Sequence, residues 1–361
     1  MQKQPKEIVH HILTIGPEYR NHRGGIGAVL EIYSRYFEVF NFISSYKEGN
    51  WLIKSIEYFI CLFNYFAILI QNKQIKIIHI HGASNGSFYR KYFLFIIAKK
   101  VFKKKVIYHL HGGGFENFHK ASSSFVKTRI KYLVENVDTV ICLSEKWRVF
   151  FDQNFKCKKL KIIPNIIDYP LKIENKNENN DKIRLLFLGL ICNNKGIFDL
   201  LNVIINDKDY YKDKIILYIG GNGERERLLE IIEKHSLQGT VEYIGWVTSE
   251  VKAKYLIKCN VYILPSYIEG LPISILEAMS YAKPIISTNV GGIPEIVIPG
   301  KNGFLLEPGD LNGIERTIKY CIENKEVLLK YGDESKKIVE KHLPQKVIKE
   351  LFDIYQELLK T

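Results

Sequence analysis

Short β-branched runs alternate with longer amphipathic stretches along the whole chain. In the first half, Ile8 to Ile15, Ile75 to Ile80, Val106 to Leu110 and Thr139 to Leu143 read as strands. Ile26 to Phe40 reads as a helix after the Gly24-Gly25 turn. The strands run into polar or glycine-rich turns such as His81-Gly82, His111-Gly112-Gly113-Gly114 and Ser144-Glu145. Residues 170–182 are polar, carry no apolar period and read as a linker. The same grammar then restarts, with Ile183 to Leu188, Ile215 to Ile219, Val241 to Ile244, Val261 to Leu264 and Pro284 to Ser287 as strands and Glu224 to His235 as a helix. Strands alternating with helices predict parallel sheets covered on both faces, with ligands at the carboxyl ends of the strands. The last stretch, Gln345 to Lys360, places Val347, Ile348, Leu351, Phe352, Tyr355 and Leu358 at helical spacing and predicts a closing helix that packs back toward the first domain. The expected organisation is α/β: a doubly wound domain over 1–169, a linker over 170–182, a second doubly wound domain over 183–340 that faces the first across a cleft, and a terminal helix over 341–361.

Length supports that division, because 361 residues exceed what one ordinary core serves. The six cysteines are scattered, several lie in apolar runs and no C-x-x-C pair occurs, which fits reduced, buried thiols in a cytoplasmic protein. The amino terminus lacks the apolar core of a signal peptide. The greasiest stretch, Tyr58 to Ile70, is 13 residues against the roughly 20 a membrane span needs, so it reads as a buried or interfacial helix.

Charge changes the picture. Residues 1–168 hold 26 basic and 12 acidic side chains, whereas residues 169–361 hold 26 and 27. A basic half beside a neutral half predicts a polyanionic partner on one side only. Lys99, Lys100, Lys103, Lys104 and Lys105 flank the apolar run Tyr92 to Ala98, a pattern that fits an anionic membrane leaflet and equally a solvated lysine face. Nucleic acid is not the expected partner, because no helix-turn-helix or RNP pattern interleaves basic and aromatic residues.

The richest chemistry lies in Val261 to Glu295, which reads as strand, Gly/Pro turn, helix, strand and second Gly/Pro turn. Glu269 and Glu277 bracket the first turn with seven residues between them. A turn that opens a helix leaves backbone N–H groups pointing outward as an anion seat. One acid then reaches hydroxyls on one side of a bound diphosphate and the other acid those on the opposite side, which is the layout of a nucleotide-sugar.

Residues 184–310 resemble the donor-binding domain of the retaining glycosyltransferases of family 4, whose fold is GT-B, two Rossmann-like domains facing a cleft. The resemblance is carried by L-F-L-G-L-I-C-N-N-K-G at 186–196, I-G-G-N-G-E-R at 219–225, the whole of Val261 to Glu295, and N-G-F-L-L-E-P-G-D at 302–310. It is looser in the first half, where Gly24-Gly25-Ile26-Gly27, His111-Gly112 and Ile163-Pro164-Asn165 match. The resemblance implies that Glu269 holds hydroxyls of the transferred sugar, that Glu277 accepts from the ribose diol, and that Lys195 neutralises the leaving diphosphate. It implies that the backbone N–H groups of Gly270, Leu271, Ile273 and Ser274 face the donor; Pro272 has none to offer. Gly25 and the loop Gly221-Asn222-Gly223 join the donor site, and His111 lies near the transferred sugar. No cofactor and no divalent metal are implied. The acceptor is expected to be lipid-linked or an oligosaccharide, in cell-surface polysaccharide synthesis, and the donor a UDP-sugar. One departure is plain: Leu190 stands where the family usually has an arginine. Arg184, Arg225 and the first-domain Arg23 are the substitutes the sequence offers.

Blander readings stand beside these. Glu277 also suits a solvent-facing helix acid, Lys195 a loop lysine, and the Gly220-Gly221-Gly223 cluster a sharp strand-to-helix turn. His79, His81 and His109 alternate on neighbouring strands and raise zinc, but no carboxylate or cysteine partner lies at ligand spacing. Asp207-Lys208-Asp209 has the form of a metal-binding D-x-D, yet it follows no apolar strand. A nucleotide-sugar epimerase of the same fold is the alternative enzyme, and a polyanion-binding protein the alternative without chemistry.

Overall fold

A computed structural model describes residues 6–20, 24–47, 49–171 and 181–360. The chain divides into two compact units, Met1–Ile167 with His342–Thr361, and Asp168–Lys341. Most of the expected linker, 172–180, and Arg23 lie outside the described residues.

The first unit is a parallel sheet of β1 (Ile12–Gly16), β2 (Phe42–Ser44), β3 (Ile77–Gly82), β4 (Lys105–Leu110), β5 (Thr139–Cys142) and β6 (Leu160–Ile162), in the order β2-β1-β3-β4-β5-β6. Between the strands run α1 (Gly25–Tyr36), α2 (Trp51–Gln71), α3 (Gly86–Ile96, continued by a π-helical turn over Ile97–Val101), α4 (Phe115–Ala121), α5 (Ser124–Asn136) and α6 (Glu145–Asn154). The four inner strands are buried almost throughout, as expected where helices cover both faces of a parallel sheet. On one face Leu13, Ile15, Ile78, Ile80, Val106 and Tyr108 pack with Cys61, Tyr65 and Leu69 of α2, Phe88 and Phe95 of α3, Leu133 of α5 and Phe151 of α6.

The second unit repeats the plan with β7 (Ile183–Leu188), β8 (Ile215–Gly220), β9 (Val241–Gly245), β10 (Val261–Leu264), β11 (Ile285–Thr288) and β12 (Gly303–Leu306), in the order β12-β11-β10-β7-β8-β9, all parallel. Its helices are α7 (Ile197–Asn206), α8 (Arg225–Lys234), α9 (Ser249–Lys258), α10 (Ile273–Ser280), α11 (Leu311–Glu323) and α12 (Lys325–Val339). The chain order reverses between β7 and β10. Such a switch point spreads the two following loops apart at the carboxyl edge and makes the crevice where α/β sheets bind ligands.

The last helix, α13 (Pro344–Lys360), belongs to the first unit and packs on α1 and β3. Its Val347, Ile348, Leu351, Phe352, Tyr355 and Leu358 are all buried. Phe352 meets the Phe37 ring edge-on at 5.3 Å.

Three features differ from the sequence expectation. Residues 6–9 form a helical turn, so β1 starts at Ile12 rather than Ile8. The apolar stretch expected over Tyr58 to Ile70 is a 21-residue helix, Trp51–Gln71, long and apolar enough by length and composition to cross a membrane, yet one of its faces is built into the core. Of the five lysines near Tyr92 to Ala98, Lys99 is paired with Asp138 at 2.8 Å and Lys104 donates to the Ile75 carbonyl at 2.7 Å. Lys105 is half-buried on β4, leaving Lys100 and Lys103 exposed. The run they flank is largely inside, with Leu94, Phe95 and Ala98 buried.

Candidate active site

The loops after β7 and β10 meet at the switch point of the second sheet. Leaving β7, residues 189–191 keep pairing with the loop after β8: the Gly189 N–H donates to Gly220 O at 3.0 Å, Ile191 N–H to Asn222 O at 2.6 Å, and Glu224 N–H to Ile191 O at 2.8 Å. This lacing requires glycine at Gly221, which has φ +154° and where a Cβ would stand 1.8 Å from the Gly189 carbonyl oxygen. The glycines of this loop thus have a structural reason of their own.

The chain then makes a short 3-10 turn, Asn193–Lys195, and enters α7 through Gly196 at φ +69°. A Cβ on Gly196 would lie 2.0 Å from the Pro265 carbonyl oxygen, so glycine lets the two loops touch. Tyr267 fixes the contact, its N–H donating to Asn194 O at 2.9 Å and its hydroxyl to Asp199 Oδ2 at 2.9 Å.

Those contacts bring Lys195 to Glu269. Lys195 Nζ lies 2.5 Å from Glu269 Oε1, and Ser266 Oγ donates to the same oxygen at 2.8 Å. The Glu269 side chain is only 9% exposed, which makes a held carboxylate rather than a waving one. Gly292 N–H donates to Gly270 O at 2.7 Å, and Gly291, at φ +55°, brings its backbone so close that a Cβ would lie 2.1 Å from Glu269 O. The Gly-Gly-x-Pro-Glu segment therefore braces the loop that carries Glu269.

Helix α10 follows. Pro272 occupies its cap position and no side chain caps the first turn, so the start of the helix keeps the anion-attracting character of backbone N–H groups and dipole. Ser274 is tied to the Tyr262 hydroxyl, which donates to Leu188 O at 3.0 Å. Glu277, one turn further on, is ion-paired with Lys252 of α9. Lys252 gives no sign of itself in the sequence, being one of three lysines in an ordinary helix 25 positions upstream.

At Leu190 the side chain is 52% exposed. Arg184 cannot stand in for the absent arginine, because it sits near the amino end of β7, at the opposite edge of the sheet from the loops. Arg225 starts α8 and lies 5.8 Å from the Tyr243 ring, whose hydroxyl donates to Gly221 O at 2.9 Å. Arg227, which the sequence did not single out, reaches the Lys195 turn itself. Its Nη1 donates to Asn193 Oδ1 at 3.1 Å, and its guanidinium lies over the Phe198 ring at 3.7 Å.

Two expected site residues belong to the first unit. Gly25 opens α1 behind the uncapped Gly24. A Cβ at Gly24 would meet nothing within 4 Å, and its φ of −149° suits any residue, so the fold itself does not demand glycine there. His111 follows β4, and both its ring nitrogens are engaged: Nδ1 with Asn165 Oδ1 at 3.1 Å and Nε2 with His81 Nδ1 at 2.8 Å. Burial pushes it down to about 4, with the Asn165 bond pulling the other way. His79, His81, His109 and His111 share one face of the sheet, and burial first, then their mutual repulsion, holds His79 at about 3 and His81 and His109 well below the ordinary value.

Of the three histidines considered for zinc, ring nitrogens of all three lie within 4.8 Å of one another. His79 uses both nitrogens, with the Tyr355 hydroxyl at 2.6 Å and His109 Nδ1 at 3.3 Å. Only His81 Nε2 and His109 Nε2 lack a hydrogen-bond partner, short of the three or four protein ligands a zinc site takes. Asp207 of the D-x-D is paired with Lys319 at 2.8 Å.

Residues 168–338 match the family described as glycosyl transferases group 1, and residues 30–169 match Glycosyltransferase Family 4. An uncharacterized glycosyltransferase of Methanocaldococcus jannaschii is 32% identical over 282 residues, 73% of this chain and 71% of that protein. A Klebsiella pneumoniae protein described as an uncharacterized 41.2 kDa protein in a cps region is 29% identical over 279 residues, 73% of this chain and 75% of its own. Among solved structures, Anabaena HepE in complex with UDP-glucose superposes with a TM-score of 0.71 at 18% identity, covering 97% of this chain and 98% of that one. The two six-stranded parallel sheets and this likeness make the fold GT-B.

Proposed function

Because this chain belongs to the group 1 glycosyltransferases, we propose that it moves a sugar from a nucleotide-sugar, a UDP-sugar, to a lipid-linked acceptor with retention of anomeric configuration and without a divalent metal. The observation that carries the reading is the Lys195–Glu269 pair at the switch point, beside the uncapped start of α10. Lys195 is the cation placed to hold the diphosphate, and α10 adds backbone N–H groups, so charge that grows on the leaving oxygen meets a prearranged field. Glu269 takes hydroxyls of the sugar. Glu277, steadied by Lys252, takes the ribose diol. Arg227 fills the place left by Leu190, since it reaches the Lys195 turn through Asn193.

In the proposed step the acceptor oxygen bonds to the anomeric carbon as the bond from that carbon to the diphosphate oxygen breaks, on the same face. The acceptor proton passes to the departing diphosphate. His111 enters as a contact to the transferred sugar, which requires exchange of its bond to His81 or to Asn165. Gly25 enters through close backbone approach, supported by the absence of any packing demand for glycine at its neighbour Gly24.

The lipid-linked acceptor is supported by the basic amino-terminal half, and cell-surface polysaccharide synthesis by the relative from a cps region. A cytoplasmic enzyme at the inner face of the membrane fits both. The test is a thermal-shift screen against UDP-, GDP- and ADP-sugars followed by product analysis. The donor that binds raises the melting temperature, and a sugar converted with no acceptor present would replace transfer by epimerisation.

A further inference from the structure

The outer face of α2 is an uncovered apolar stripe. Leu52, Ile56, Phe59, Phe63, Phe66 and Ile70 recur at alternating four- and three-residue steps, so they line one side of the helix. All six are exposed, Phe59 by 70% and Phe63 by 75%, and Trp51 at the amino end by 72%. Large apolar side chains gathered in one strip differ from the scattered single residues of an ordinary monomer surface.

The other side of α2 is anchored. Cys61, Tyr65 and Leu69 are buried in the core, and the hydroxyls of Tyr58 and Tyr65 donate to the carbonyls of Arg90 and Leu94 on α3, at 2.9 and 3.3 Å. A helix of 21 residues is about 31 Å long and could cross a bilayer on its own, but crossing would tear these contacts from the core. The helix therefore lies flat on its unit with the stripe outward. The strip continues past Phe66, which meets the Phe102 ring at 5.8 Å, to the exposed Val101 between Lys100 and Lys103.

Charge selects the occupant. Residues 51–105 carry a single acid, Glu57, against ten lysines and arginines, of which Lys73, Lys76, Lys100 and Lys103 are exposed. A second copy docked through the same stripe would bring two such basic segments together. An anionic bilayer satisfies both parts of the surface, its acyl boundary taking the aromatic stripe and its phosphates the lysine rim.

We propose that α2 is an in-plane membrane helix, seating the stripe in the headgroup–acyl boundary of an anionic leaflet with Trp51 at the interface and Lys100 and Lys103 on lipid phosphates. This rests on the lipid-linked-acceptor reading for its purpose, not for its physics. The experiment is flotation of the full-length protein with vesicles of phosphatidylcholine alone or mixed with phosphatidylglycerol. Binding is expected to the anionic vesicles and to fall by roughly tenfold or more in Phe59→Glu/Phe63→Glu, and to weaken, with a shallower salt dependence, in Lys100→Glu/Lys103→Glu. Bromine-labelled lipid is expected to quench tryptophan emission in the wild type and much less in Trp51→Phe. The stripe residues face outward, so the donor-induced thermal shift is expected to persist in every variant. Equal flotation of wild type and the Phe59/Phe63 variant overturns the proposal. So does a wild type that ignores anionic vesicles while light scattering finds a dimer that this variant dissociates. Vesicle binding without transfer to a vesicle-embedded polyprenyl-diphosphate acceptor would sink the acceptor reading and leave the helix assignment standing.

Discussion

Lys195 Nζ and Glu269 Oε1 stand 2.5 Å apart, although 74 positions separate the residues in sequence. Each is delivered by a loop from its own side of the β7/β10 switch point, so the pair reports the topology of the sheet. Glu269 is buried, but glutamine at that position keeps a side-chain oxygen that accepts from both Ser266 Oγ and Lys195 Nζ. Glu269→Gln is therefore expected to melt within a few degrees of the wild type and to lose about 10²–10³ in turnover. Lys195→Met should lose a similar factor, and the double variant much less than the product of the two, because the residues act as one unit. Steady-state turnover with the donor found by thermal shift checks this. Unchanged turnover in Glu269→Gln would remove the carboxylate from the mechanism.

Lys252 pairs with Glu277 from a different helix, α9. If the pair steadies Glu277 for the ribose, its loss weakens binding of donor and transition state alike. Lys252→Ala should then raise the donor KM several-fold while kcat holds. A fall in kcat at constant KM would show that Lys252 acts on the reacting end instead.

Much of this was legible in the sequence, for reasons that differ by element. The inner strands β8 and β10 of the second sheet were clear because both faces are buried and each reads as an unbroken apolar run, whereas its edge strand β12 was not read as a strand. Edge strands β2 and β6 were not, since three residues with half-exposed positions leave no pattern. Glu269 and Glu277 were visible because they bracket a Gly/Pro turn, and the glycines at 196, 221 and 223 because glycine marks close approach of backbones: a Cβ at any of the three would stand within 2.4 Å of a carbonyl oxygen. Lys252 and Arg227 were invisible because a helix lysine or arginine looks the same whether it meets solvent or a carboxylate folded against it. The outer face of α2 was half legible: its apolar stretch reads equally as a buried or an interfacial helix, and only the fold shows which side is covered and which is left out.

Two glycines separate a packing demand from an exposed turn. Gly221→Ala forces a Cβ into the Gly189 carbonyl at φ +154°, and the loop must move. A loss of at least about 2 kcal/mol is expected, with donor binding lost alongside. Gly24→Ala meets open space and should fold within about 1 kcal/mol of the wild type. If the turn before α1 lies against substrate, Gly24→Ala nonetheless transfers sugar more slowly. Full activity in Gly24→Ala would take that turn out of the site.

Lys91 of α3 is 1% exposed, and its ammonium nitrogen is bonded to the Ser45 hydroxyl, which itself donates to Gly16 O at 2.8 Å. Burial, then repulsion from Arg90, brings it from 10.5 down to about 7, with Cys61 acting weakly in the other direction. A folded-state value below the unfolded one means that between about pH 7 and 10.5 the unfolded chain holds a proton the folded chain lacks. Stability from this group therefore rises with pH across that window, and below it the burial penalty is felt in full. Lys91→Met removes the charge while keeping the bulk. It is expected to be more stable than the wild type near pH 7, an advantage that shrinks by up to about 1.4 kcal/mol per pH unit toward pH 10. Denaturant unfolding of both proteins across that range reads the difference directly, since every other titrating group is shared. Parallel stability curves would mean that the lysine keeps its proton inside the fold.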